Sequence, residues 1–322
     1  METGKKPLRQ RRRKAPQKEL LAEASKPRKV LLTGATGFVG RAILQALLQR
    51  GFTVVAMARR HPHQEPAPGL VRVAADVVKE GWESWAEGCQ AAIHLVGIIR
   101  EVPREDVTFY RIHVQGTARV LEACEKLGIA RYLHMSAVGA DPQGLTAYHR
   151  TKGQAEELVK ASPLSWTIFR PSVIFGPGDG FTSTLARVIK GFPIVPVFGD
   201  GSYPLQPVAV EEVAQAFVSS LDKPESVGQV IELGGPEVLT YLQVLQRVAR
   251  ALGKKRFFVK LPIHLVRFGV QLATKFLPNP PITSHELTML LAGSIADVRL
   301  ARQFFGLPQK PFSSGVGSPK AG

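Results

Sequence analysis

The chain has 322 residues, 44% hydrophobic and 21% charged, the profile of a globular protein with room for one large domain or two. Its two cysteines, Cys89 and Cys124, rule out a disulfide framework and form no metal-ligand pattern, so no metal site is expected and both read as reduced structural thiols. The formal net charge of +16 is unevenly placed: residues 1–29 hold eleven Lys/Arg against three Glu, a net +8.

Residues 1–27 contain Arg11-Arg12-Arg13-Lys14 and almost no apolar cluster, so they are expected to form a disordered basic tail. The tail lacks the apolar run of a secretory signal, which points to a cytoplasmic protein. Its arginines also admit a mitochondrial matrix presequence, a reading opposed by Glu2, Glu19 and Glu23. Such a tail either stays solvated or lies on anionic lipid at the inner face of a membrane. No aromatics interleave with its charges, which argues against sequence-specific nucleic-acid binding.

Val30-Leu31-Leu32-Thr33 reads as a buried strand, Gly34-Ala35-Thr36-Gly37 as a tight turn, and Phe38-Val39-Gly40 as the start of a helix reaching Leu48. Gly34 suits a sharp turn, Gly37 a close approach to a pyrophosphate, and Gly40 tight helix–strand packing. With the helix N–H groups facing the phosphates, the segment is the expected dinucleotide cradle. The second strand, Thr53–Ala58, ends at Arg59-Arg60, where an NAD-binding chain would carry a carboxylate for the ribose 2′-hydroxyl. Arginine attracts a 2′-phosphate, which favours NADP(H); NAD(H) stays open, and a solvated basic loop is the structural alternative.

Residues 70–76 read as a third strand with Asp76 placed to meet an adenine. Residues 91–97 read as a fourth, whose Gly97 lets a cofactor pass close to its end. Residues 108–127 read as a helix closed by Gly128, and Arg131–Met135 as a fifth strand. This alternation predicts an α/β fold, a doubly wound parallel sheet of the NAD(P)-binding Rossmann type, with ligands at the carboxyl ends of the strands.

Tyr148 and Lys152 are four residues apart, so on a helix both emerge from one face. Lys152 is expected to favour the Tyr148 phenolate, lowering a pKa ordinarily near about 10, and to hydrogen-bond a nicotinamide ribose. Tyr148 would then exchange a proton with a substrate oxygen. Ser136, at the end of the fifth strand, either orients a substrate oxygen or satisfies local backbone groups.

Thr33-Gly34-x-x-Gly37-x-x-Gly40, Asp76, Tyr148-x-x-x-Lys152 and the run from Arg170 to Asp179 together resemble the extended short-chain dehydrogenase/reductase superfamily, which holds the NAD-dependent epimerases and dehydratases. The resemblance covers roughly residues 28–310, and residues 207–214 and 232–237 are similar to its downstream landmarks. It implies that the cofactor also meets Thr36, Phe38, Val39, Val77, Leu95, Val96, Pro171, Ser172 and Val173.

The runs 94–99 and 135–140, with Pro280-Pro281-Ile282-Thr283, look most like one atypical branch. That branch includes the nucleotide-binding accessory subunit of respiratory complex I, the alpha-subcomplex subunit 9 family. It implies NADP(H) binding and association with membrane-bound respiratory or quinone-related machinery. The implied role is a reductase-like protein or a non-catalytic scaffold stabilised by its cofactor. Sugar-nucleotide epimerases of the superfamily carry a serine-rich run followed by Val-Tyr-Gly where this chain has Met135-Ser136-Ala137-Val138-Gly139. If the serine belongs one position on, Ala137 fills its place, which weakens an epimerase or dehydratase reading.

Beyond residue 175 the pattern loosens around Pro193, Pro196, Pro204 and Pro207. Residues 28–175 therefore read as the Rossmann domain and 176–310 as a smaller substrate or partner region, able to return strands to the first sheet, with an unidentified small-molecule substrate between them. Residues 311–322 read as a flexible tail. Residues 257–278 are apolar, but Arg267, Lys275 and the short length exclude a membrane span. They form either a helix packed on its own domain or an amphipathic helix on a membrane surface or membrane complex.

Overall fold

The computed structural model describes residues 28–61, 66–276 and 282–312; the basic tail and Pro280-Pro281 lie outside the described residues. Strands β1 (Lys29–Thr33) and β2 (Thr53–Ala58) are apolar between the end residues Lys29, Thr33 and Thr53, so both of their faces need cover. Val30, Leu32, Val54 and Ala56 pack in one cluster with Val39, Ile43 and Leu47 of helix α1 (Phe38–Gln49). Leu31, Val55 and Met57 pack in another with Val120, Leu121 and Cys124 of α2 (Gly116–Leu127). The alternation along each strand thus calls for helices on both faces.

The chain continues through β3 (Leu70–Ala74), β4 (Ala91–His94), β5 (Arg131–Met135), α3 (Ala147–Ala161) and β6 (Ser165–Pro171). Downstream lie α4 (Gly180–Gly191), β7 (Ile194–Phe198), α5 (Val210–Ser220), β8 (Gln229–Leu233) and α6 (Tyr241–Ala251). The last elements are β9 (Phe257–Leu261), α7 (Ile263–Phe276), α8 (Ser284–Ala292) and α9 (Arg299–Phe305). A seven-stranded parallel sheet runs in the order β8-β6-β5-β4-β1-β2-β3. The expected doubly wound sheet is therefore present. Its order reverses between β1 and β4, where such folds open a crevice at the strand ends.

The second region is not separate from this sheet. β8 pairs with β6, and Phe217 of α5 and Phe305 of α9 meet Phe169 of β6 at ring-centroid distances of 4.3 and 6.1 Å. A third cluster joins Ile189 of α4, Val195 and Val197 of β7, and Tyr241, Val244 and Val248 of α6. Cys89 and Cys124 are free and buried, and burial pushes their thiols up to about 11 and about 12, as suits structural thiols.

The tail begins later than composition indicates. Phe312 is 1% exposed and meets Phe175 edge-on at 5.1 Å, because the third cluster leaves an aromatic-sized gap that this side chain fills. Residues 313–322 lie outside the described residues. Truncating the ring in Phe312→Ala should cost about 3–5 kcal/mol and lower the melting temperature in scanning calorimetry. An unchanged transition would return residue 312 to the tail.

Candidate active site

At the turn after β1, Gly34 has φ of +76°, a conformation that favours glycine. A Cβ there would also lie 3.3 Å from the Leu95 carbonyl carbon and the Val96 nitrogen, so the turn presses against the chain leaving β4. At Gly40 a Cβ would stand 2.2 Å from the Gly34 carbonyl oxygen, so only glycine lets α1 seat this close. Gly37 is the N-cap of α1, and no side chain caps the helix. First-turn N–H groups without a side-chain acceptor suit an anionic ligand. Val39 is buried, whereas Thr36 and Phe38 line a cavity of about 1490 Å³ that follows the flank of α1 and α5.

A second cavity, of about 830 Å³, lies beyond the ends of β2 and β3. Thr36, Arg59, Arg60 and Asp76 line it, so four of the expected cofactor residues share one opening. Both arginines are exposed, and among the described residues neither makes a salt bridge. Asp76 Oδ1 accepts from the Val78 N–H at 3.3 Å, while Val77 is buried beneath, near Gly116. Neither cavity is lined by Tyr148 or Lys152, so cavity size is a poor guide to the chemistry here.

Tyr148 and Lys152 emerge from the same face of α3, whose N-cap Thr146 accepts from the His149 N–H. The helix is held in place by Glu156, which takes Nε and Nη2 of Arg170 on its two oxygens at 2.8 and 2.6 Å. Lys152 is 3% exposed and its ammonium donates to the Met135 carbonyl at the end of β5, 2.8 Å away. A Cβ on Gly97 would stand 3.2 Å from that nitrogen, which brings the end of β4 against the same charge. Leu95 is buried and Val96 half-buried, completing a seam from the glycine turn to Lys152. Ser136 follows Met135; its hydroxyl is buried and has no hydrogen-bond partner among the described residues. Among the expected positions, Pro171, Ser172 and Val173, like Leu95, Val96, Gly97, Tyr148 and Lys152, line neither cavity. Pro171 pairs with Leu233 in the sheet, the Ser172 hydroxyl donates to the Ser294 carbonyl at 2.9 Å, and Val173 packs on the third cluster.

One expectation fails. Lys152 does not lower the Tyr148 pKa; burial pushes the phenol up to about 12. The ring stands edge-on to Phe109 and His113, at 5.9 and 5.5 Å, and the ammonium is directed to a backbone carbonyl instead. Lys152 itself is pushed down to about 8 by burial, with Glu156 opposing the shift.

His113 was not legible as part of this site. It sits in a wide helical turn, Tyr110–Gln115, that interrupts the helix expected over 108–127. The Thr151 hydroxyl donates to the Ala147 carbonyl at 2.8 Å, so it accepts from His113 Nδ1–H at 2.9 Å. Nε2 lies 3.1 Å from both the N–H and the carbonyl oxygen of Ile98. Burial and the Lys152 charge push His113 down to about 2, so it is a neutral spacer beside a cation. A lone histidine among apolar residues carries no sequence signal for that role.

The model of the NAD dependent epimerase/dehydratase family matches residues 30–234, well over half of the chain. The chain belongs to that family. Among its relatives, the ceramide reductase of Caulobacter vibrioides is 29% identical over 238 residues, 72% of this chain and 73% of that protein. NADH dehydrogenase [ubiquinone] 1 alpha subcomplex subunit 9 of Arabidopsis thaliana is 30% identical over 269 residues, 77% of this chain and 66% of that protein. The expected superfamily and its complex I branch are thus both represented. UDP-glucuronic acid 4-epimerase of Bacillus cereus, solved with UDP-glucuronic acid and NAD, shares the fold with a TM-score of 0.71 at 20% identity, over 89% of this chain and 96% of that one.

In this family member the Lys152 ammonium should titrate near about 8, observed through its Cε shift in protein carrying labelled lysine. Glu156→Gln removes a charge that raises this pKa, so the midpoint should fall further. A midpoint at the ordinary lysine value of about 10.4 would show that the ammonium is solvated.

Proposed function

We propose that this chain is an NADP(H)-binding, reductase-like member of the family that reduces a carbonyl on a small-molecule substrate. The observation that carries the reading is the seam from Gly34 through Leu95, Val96 and Gly97 to Lys152, so close that a Cβ on Gly34 or Gly97 would lie 3.2–3.3 Å from its neighbour. It links an anion-binding helix start to a tyrosine–lysine pair along one edge of the sheet. The first turn of α1 would take the pyrophosphate, Asp76 the adenine, and Lys152 the nicotinamide ribose. Arg59 and Arg60 would hold a 2′-phosphate with paired N–H donors, which supports the phosphorylated cofactor. The Bacillus cereus structure carries NAD, and the basic pair is the reason for ranking NADP(H) first here.

When bound, the nicotinamide supplies the hydride. Tyr148, neutral until about pH 12, is in its proton-donating form at neutral pH, which suits reduction of a carbonyl to an alcohol. The buried ammonium of Lys152, on the Met135 carbonyl, keeps positive charge at the end of β5, one helical turn from Tyr148 along α3. Ser136 has an unspent hydroxyl with which to orient that oxygen. A second reading, a cofactor-stabilised scaffold at a membrane complex, is favoured by the tight burial of Tyr148 and Lys152 and by the complex I relative.

Calorimetric titration with NADPH and NADH tests the cofactor assignment. NADPH should bind at least about tenfold more tightly, and Arg59→Asp should abolish that preference, since paired charge-assisted bonds to the phosphate are lost. Equal affinities in the wild type would overturn the phosphate site. Binding of neither would overturn both cofactor-dependent readings and leave the glycine turn as architecture in a scaffold that holds no nucleotide.

A further inference from the structure

The β9–α7 segment carries a surface that the proposed chemistry leaves unused. Along β9, Phe257 and Val259 share one face at the strand period of two, and both are exposed, Phe257 by 76%. Pro262 leads directly into α7, where Leu265, Phe268, Leu272 and Phe276 recur at helical spacing as one exposed stripe. Phe268 and Phe276 are 66% and 68% exposed. The opposite face of the helix is already occupied, since Val266 and Val270 pack on Leu287 of α8. Core packing therefore accounts for one side of α7 and, among the described residues, leaves the other unpartnered.

Charge identifies the occupant. Lys254, Lys255, Lys260, Arg267 and Lys275 are exposed around these aromatics, and residues 254–276 contain no Asp or Glu. Among the described residues none of the five cations forms a salt bridge; Asp200, near Lys260, is an acid within electrostatic reach. A second copy meeting this face symmetrically would set these cations against themselves. The chain's own basic N-terminal residues are repelled for the same reason. No described helix is long and apolar enough to cross a membrane. Aromatic and aliphatic side chains ringed by lysine and arginine match an anionic bilayer, with the rings among the acyl chains and the cations at the headgroups.

We propose that β9 and α7 dock on the surface of an anionic lipid bilayer. The docked helix is tied to the candidate active site through α8, whose His285 meets Phe109 and whose Glu286 takes Arg100 at 2.7 Å.

The full chain should co-sediment with phosphatidylcholine vesicles containing about one quarter phosphatidylglycerol, bind pure phosphatidylcholine at least tenfold less, and be released by salt. The triple variant Leu265→Ser, Phe268→Ser, Phe276→Ser should lose about tenfold or more in partition while melting as a folded protein. Should that variant fail to fold, Phe268→Trp gives a second readout: its added fluorescence should shift to the blue on anionic vesicles alone. Partition of the folded triple variant equal to wild type would assign the binding to other cations and overturn the proposal. So would solvent-like emission from the introduced indole on vesicles, or a wild-type dimer in sedimentation that the triple variant dissociates.

Discussion

Lys152 brings a positive charge to the carboxyl edge of the sheet, where desolvation costs on the order of several kcal/mol unless the ion finds partners. The surrounding structure reads as the answer to that demand. The Met135 carbonyl accepts from the ammonium, and Glu156 stands one helical turn away on α3. Burial and the Lys152 charge push His94 down to about 3 and hold His113 and His134 well below their ordinary value, so the neighbouring rings are uncharged. A protonated histidine beside this ammonium would add repulsion in a medium that screens it poorly.

The position of the charge depends in turn on backbone approach. Gly34, Gly40 and Gly97 each leave out a Cβ where another segment of main chain or the lysine itself comes near, so the glycine turn, the end of β4 and α3 meet along one edge. The pair Glu156–Arg170 ties α3 to β6, and Arg100–Glu286 ties the loop after β4 to α8. Paired bonds of this kind fix orientation as well as distance. The buried tyrosine thereby stays neutral, its phenol pushed up to about 12.

Local periodicity made much of this legible. The apolar runs of β1, β2 and β4, the glycine spacing, and the four-residue step from Tyr148 to Lys152 all arise within short segments, and each fell where the sequence placed it. Features set by distant contacts were not readable. That the second region could return strands to the sheet was expected, but not that the neighbour of β6 would be β8, some sixty residues on. The Tyr148 pKa follows from Phe109 and from a wide turn that brings His113 inward, so a spacing argument about Lys152 gave the wrong sign. Phe312 looked like tail by composition because a single buried ring leaves no pattern.

The most direct measurement is a crystal structure of the full chain grown with NADPH. The pyrophosphate should sit on the first turn of α1, the adenosine 2′-phosphate between Arg59 and Arg60, and the nicotinamide ribose within hydrogen-bond reach of Lys152 Nζ, with Tyr148 beside the reactive ring. A nucleotide seated along the α1–α5 flank, or one whose nicotinamide end lies away from Lys152, would contradict this assignment.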